Sequence, residues 1–123
     1  MTAPPPPNHR DCRAVSTILA GVGEKWSVLV VMTLREQPRR FNELKRAVDG
    51  ISQQMLTRTL KGLERDGLVT RTVHPTVPPQ VEYRLTDLGH SLAGPVRQLG
   101  EWALDHVPAI QANRERYDRA TDG

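Results

Sequence analysis

The spacing of apolar residues changes along the chain from a helical period to a period of two, and that order predicts its elements. Ile51, Met55, Leu56, Leu60, Leu63 and Leu68 recur mostly every three or four positions, so one helical stripe packs inward while the opposite side stays polar. Ser52 stands just before the periodic run, where its hydroxyl accepts from an unpaired first-turn N–H, and Gly67 comes after Asp66 where the chain must reverse. These signals predict a helix over about Ser52–Asp66. Val69–Val73 and Val81–Leu85 then switch to alternation and are rich in Val, Thr and Tyr, which predicts two strands. Between them, His74 to Gln80 contains three prolines, which donate no ladder bonds and stiffen a projecting loop.

The flanks read as further helices. Asp11 caps a first helix over about Cys12–Ala20, with a narrow stripe of Val15, Ile18 and Leu19, and Gly21 and Gly23 break it. Glu24–Arg35 is apolar on nearly every side, as a helix central to the core would be. Gln37–Arg40 is a turn, Phe41 anchors the entry to the next element, and Asn42 caps a short helix to about Val48. Asp49-Gly50 separates that helix from its successor, giving helix, short glycine turn, helix. The last helix is predicted from Thr86 to about Val107, before Pro108, with a kink at Gly94-Pro95. Its stripe of Leu88, Leu92, Val96, Leu99 and Ala103, flanked by Trp102, is more than one small core absorbs. Together with Val15, Ile18 and Leu19, the residues Leu92, Val96, Leu99, Trp102 and Ala103 are therefore expected at a two-fold dimer interface. The plainer reading is that this stripe covers its own core. Three regions result: a disordered Pro-rich arm over 1–10, one domain over 11–107, and a polar tail over 108–123, of which Gln111 to Gly123 is expected to fray.

Helix, turn, helix and a hairpin with a stiff tip is an α+β, mainly helical arrangement: a winged helix-turn-helix with a two-stranded wing and terminal dimerisation helices. The second helix of such a module enters the major groove. Its polar face here carries Gln53, Gln54, Thr57, Arg58 and Lys61, with no acidic residue from Ser52 through Leu63. A merely solvated face normally mixes both signs. Gln and Arg bond adenine and guanine edges in pairs, so Ser52, Gln53, Gln54, Thr57 and Arg58 are the expected base-reading set. Arg39, Arg40, Lys61, Arg71, His74 and Arg84 are the expected contacts to the DNA backbone. A hairpin that only covers a core edge is the alternative for the wing segment.

Charge sharpens the picture only by segment. The net +3 divides into +1 over residues 1–38, +4 over 39–85 and −2 over 86–123. The cations gather where a duplex would dock.

Several runs carry a family resemblance: GEKWSVLVV from Gly23, RRFNEL from Arg39, ISQQMLTRTL from Ile51, LERDGLV from Leu63 and PPQVEYRLTDLG from Pro78. In that order they resemble the HxlR-type winged helix-turn-helix regulators of bacteria and archaea, relatives of the MarR group, over about Cys12–His106. The resemblance implies a homodimeric transcriptional regulator that binds a double-stranded operator, usually of a nearby operon. Some members carry a cysteine near the N-terminus that senses electrophiles or oxidants, and Cys12 matches it in position. Arg10 and Arg13 beside that thiol favour its reactive thiolate, while Asp11 opposes it. A small packing residue is the other reading of Cys12. The effector, whether small molecule or oxidant, is left open.

Other chemistry is thin. At 123 residues the chain makes one compact domain, with no apolar run long enough to cross a membrane and no signal-like start, so a cytoplasmic protein is expected. One cysteine excludes an internal disulfide, and His9, His74, His90 and His106 have no metal-like spacing. No cofactor or metal is expected, and no catalytic constellation argues for an enzyme. A winged helix used only to hold another protein remains as the alternative function; such domains usually lose the polar and basic character that Gln53, Gln54, Arg58, Lys61, Arg71 and Arg84 retain here.

Overall fold

In the computed structural model, residues 9–122 are described, with side-chain surroundings given for 13–121. The order is α1 (His9–Val22), α2 (Lys25–Glu36), β1 (Arg39–Arg40), α3 (Phe41–Ala47), α4 (Gln53–Arg65), β2 (Val69–His74), β3 (Gln80–Leu85) and α5 (Asp87–Asp122). The predicted arm falls almost wholly outside the described residues, as does the side chain of Cys12.

The core forms where the apolar faces of α2, α3, α4, the base of the wing and the start of α5 meet. Val30, Val31, Leu34, Leu44, Leu56, Leu60 and Val69 are sealed from solvent, and Trp26, Phe41, Met55, Val81 and Leu92 pack around them. Every residue of the predicted α4 stripe is buried except Met55, which is half-buried. The caps act as their chemistry dictates. The Ser52 hydroxyl accepts from Met55 N at 3.0 Å, and the Glu24 carboxylate accepts from Trp26 N and Ser27 N at 3.1 and 3.2 Å, opening α4 and α2. Gly67 takes φ 77°, where a side chain would be strained, and so lets α4 turn into β2.

Four expectations are corrected. Arg39 and Arg40 are not simply a turn: they pair antiparallel with Tyr83 and Glu82, so the sheet has three strands in the order β1-β3-β2. A two-residue strand has no periodicity to read. α3 begins at Phe41, with Arg40 rather than Asn42 at its cap, and the Glu43 carboxylate reaches back to accept from Arg40 N at 2.9 Å. α1 begins at His9 instead of Cys12. α5 does not stop near Val107: the helix runs through Pro95 and Pro108 to Asp122. Each proline removes one donor, leaving the carbonyls of Ser91 and Leu104 without a helical partner. A helix tolerates that where water reaches its surface. Alternation within β2 also counts for less than expected, because this strand leaves the core after Val69 and Val73 is 53 % exposed, while β3 stays against it through Val81, Tyr83 and Leu85.

The base of α5 is fastened to the turn that closes α4. Thr86 Oγ1 donates to Gly67 O at 2.6 Å and accepts from Gly89 N at 3.1 Å, while Thr86 N donates to Leu68 O at 3.0 Å. Gly89 lies so near the Leu68 carbonyl that no Cβ fits between them. Gly62, on α4, faces open space. We therefore expect Gly89→Ala to lose about 1–3 kcal/mol in urea unfolding, the usual range for forcing an atom into a packed contact. Gly62→Ala should gain roughly 0.5–1 kcal/mol through helix propensity alone. Equal stabilities for the two variants would show that the α5 contact is not rigid.

Candidate nucleic-acid interface

α4 divides sharply. Leu56, Thr59, Leu60 and Leu63 are buried, and Gln53, Gln54, Arg58 and Lys61 stand exposed on the other side. Arg58 and Lys61 make no ion pair among the described residues, so both charges remain available to an outside partner. Thr57 is half-buried, and its hydroxyl donates to Gln53 O at 2.9 Å, keeping an acceptor lone pair for any other contact. Ser52, already the acceptor for Met55 N, keeps its O–H and one further lone pair for another contact.

The six expected backbone contacts fall into two groups. Arg40 and Lys61 carry unpaired, exposed charges among the described residues. Arg39 is bound to Glu36 at 3.0 Å, with its Nε buried and unpartnered. On the wing, His74 and Arg84 share Glu82 at 3.8 and 3.7 Å, and Arg71 lies 4.0 Å from Glu64. These are solvent-screened pairs that a phosphate can displace at small cost. Tyr83, buried beneath them, has its hydroxyl pKa raised from 10.0 by burial, opposed by the Arg71 guanidinium.

Two features escaped the sequence. A recess of about 850 Å³ separates α3 from the wing tip and is lined by Arg40, Arg46, Pro78, Pro79 and Gln80 among others. Arg46 sits in the last turn of α3, with Glu43 and Asp49 three residues to either side, so nothing in the segment singled it out. Beyond the core, α5 also exposes Leu104, Val107 and Tyr117, at 74, 40 and 71 %. Continuing the stripe four residues past Ala103 would have found Val107; Leu104 lies off that spacing, and Tyr117 was hidden by ending the helix too early.

The residues expected at a dimer interface are placed unevenly. Val15, Ile18, Leu19, Leu99 and Trp102 are 45–68 % exposed, and Ala103 is exposed beside them. Val96 is half-buried, and Leu92 is committed mainly to the core. Trp102 stacks on His106 with ring centroids 4.5 Å apart, and His106 Nδ1 lies 2.6 Å from Trp102 O. No group of three or more His, Cys, Asp or Glu able to hold a metal occurs among the described residues. No single helix there is long and apolar enough to cross a membrane.

A helix-turn-helix whose second helix shows a polar outer face, acid-free through Leu63, followed by a β wing, defines a winged-helix transcriptional regulator. Residues 21–111 match the HxlR-like helix-turn-helix family, and the chain belongs to it. The uncharacterized HTH-type transcriptional regulator YtfH of Escherichia coli (strain K12) is 40 % identical over 98 residues, covering 80 % of this chain and 78 % of that protein. Among solved structures, the putative transcriptional regulator ytfH from Salmonella typhimurium superposes with a TM-score of 0.76 at 39 % identity, over 82 % of this chain and 90 % of the other. The redox regulator HypR in its reduced form gives 0.74 at 37 % identity, over 80 % and 98 %. Diamide-treated YodB from B. subtilis gives 0.67 at 33 % identity, over 76 % and 93 %.

Proposed function

We propose that this regulator acts as a cytoplasmic homodimer that binds a double-stranded, inverted-repeat operator. The observation that carries this reading is the outer face of α4, acid-free through Leu63, with Gln53, Gln54, Arg58 and Lys61 exposed opposite the buried Leu56, Leu60 and Leu63. Ser52, Gln53, Gln54, Thr57 and Arg58 lie on the first turns, where a recognition helix meets base edges. Arg40, Lys61 and the wing cations Arg71, His74 and Arg84 flank them and suit phosphates, with Arg39 a weaker contributor because Glu36 holds it. Arg58→Ala should cost about 1–3 kcal/mol at the cognate site and relax specificity there. Lys61→Ala should weaken all duplexes alike and flatten the log–log salt dependence by roughly 0.9. Equal losses for Arg58→Ala on cognate and random duplexes would move it to the backbone set.

Dimerisation is supported by the apolar surface left on the terminal helices: Val15, Ile18 and Leu19 on α1, and Leu99, Trp102 and Leu104 on α5. Surfaces of this kind on a small domain mark an interaction site. Two-fold pairing would set the recognition helices in successive major grooves about 34 Å apart, with half-sites roughly 10 base pairs or a multiple apart. Sedimentation should find a dimer that Leu99→Asp converts to monomer, with loss of operator affinity. A wild-type monomer at micromolar concentration would overturn the dimer.

Redox control through Cys12 is supported by the likeness to HypR and YodB, whose structures were solved in redox-altered states. With one thiol per subunit, oxidation links Cys12 to Cys12 of another subunit or to a small thiol. The two thiols give up two protons and two electrons to an oxidant such as diamide. Operator affinity should change on diamide treatment, and Cys12→Ser should abolish the change while keeping reduced-state binding. Unaltered binding by protein that mass spectrometry shows to be modified would make the thiol structural.

A further inference from the structure

On the side of α4 that faces the α1–α2 junction lies a cleft of about 400 Å³, within the size range of small-molecule sites. Two residues of this cleft stand apart from the rest of the interior. Ser27 on α2 and Thr59 on α4 are the buried polar residues among those described, each only 7 % exposed. Both line the cleft. Thr17, Thr33, Thr57 and Thr121 satisfy their hydroxyls by donating to the carbonyl four residues back, at 2.8–3.0 Å. Neither Ser27 nor Thr59 does so, and neither hydroxyl has another partner among the described residues. Neither oxygen is sealed off, for Arg39 Nε is the buried, unpartnered side-chain atom among the described residues; both hydroxyls open into the cleft and are free to pair with what occupies it.

Space and charge narrow what fits. Gly21 and Gly62 line the cleft from α1 and α4, and a Cβ on either would meet nothing within 4 Å. The helices keep glycine there although it costs about 1 kcal/mol relative to alanine. Met55 and Leu63 supply apolar wall. Glu24, Asp66 and Arg58 bring two carboxylates and one guanidinium, none of them ion-paired among the described residues. The balance favours a cation over an anion.

We propose that this cleft is a binding site for a small cyclic amine. Its ring lies against Met55 and Leu63, its polar substituent pairs with Ser27 and Thr59, and its ammonium faces Glu24 and Asp66. Arg58 lines the cleft and also belongs to the proposed base-reading set, so occupancy would change what α4 presents to DNA. That consequence rests on the DNA-binding reading; the binding itself does not.

Tyramine, with a phenol at one end and an ammonium at the other, is the probe, and para-ethylphenol and para-hydroxyphenylacetate are its neutral and anionic counterparts. Titrated into the full chain and followed by heteronuclear NMR, tyramine should shift the amides of Ser27 and Thr59 and bind at least about tenfold tighter than the anion, a difference of roughly 1.4 kcal/mol. Thr59→Val and Ser27→Ala should each lower affinity roughly two- to tenfold, the loss expected for one neutral hydrogen bond. Gly62→Leu should fill the cleft and abolish binding while the circular dichroism spectrum and melting temperature hold or rise. The proposal falls if tyramine shifts nothing near the cleft, if the anion binds as well, or if Gly62→Leu binds normally. It falls too if the cleft resonances respond to protein dilution and not to the probe, for a second copy of the chain would then cover the site. Operator affinity of the unliganded protein, measured in parallel, keeps a failure here distinct from a failure of DNA binding.

Discussion

At the base of α5, Gly89 is pressed against the carbonyl of Leu68 and Thr86 bridges Gly67 to Gly89 through one hydroxyl. Three separate parts of the molecule meet there: the end of α4, the start of the wing, and the first turn of the long helix. Because the contact is made by backbone atoms and a single short side chain, it has little freedom to adjust. The direction of α5 is consequently tied to the direction of α4. Had residue 89 carried a side chain, the two helices would have to separate and the wing strands, which begin and end at the same place, would move with them.

The electrostatic layout complements this rigidity. Cations on the wing are held by Glu64 and Glu82, whereas Arg58 and Lys61 on α4 make no ion pair among the described residues. Paired wing cations are positioned before any partner arrives, and they exchange a weak solvent-exposed carboxylate for a stronger anion. Unpaired cations on α4 keep their rotamer freedom and lose it only on contact. The arrangement suits a wing that orients and a helix that discriminates, as the proposed function requires.

Much of this was legible from spacing alone. The α4 stripe from Ile51 to Leu68, the Ser52 cap and the Gly67 reversal all stand where the pattern put them, because each is a local rule reinforced by burial. β1 was not legible: two arginines in extended form are created by pairing with Tyr83 and Glu82, a non-local cause. The end of α5 was misjudged because Pro108 ordinarily stops a helix, yet here it costs one backbone bond on a surface open to water. For the candidate site, the outer face of α4 could be read in advance, but the tethering of Arg39 by Glu36 could not, since nothing in sequence separates a charge that faces outward from one folded onto its neighbour.

Thirty-six residues of α5 span about 54 Å at the usual helical rise, from the fastened turn at Gly89 to the exposed apolar positions of its far half. A helix is a screw as well as a rod. Each residue between Gly89 and Leu99 turns the outer surface by about 100° relative to the fixed base. In a paired molecule, adding or deleting a single residue in that interval would therefore change the azimuth at which a partner is met, while leaving every side chain of the reading head untouched. Relatives that keep the same α4 face could thus come to address differently spaced half-sites through the length of this shaft.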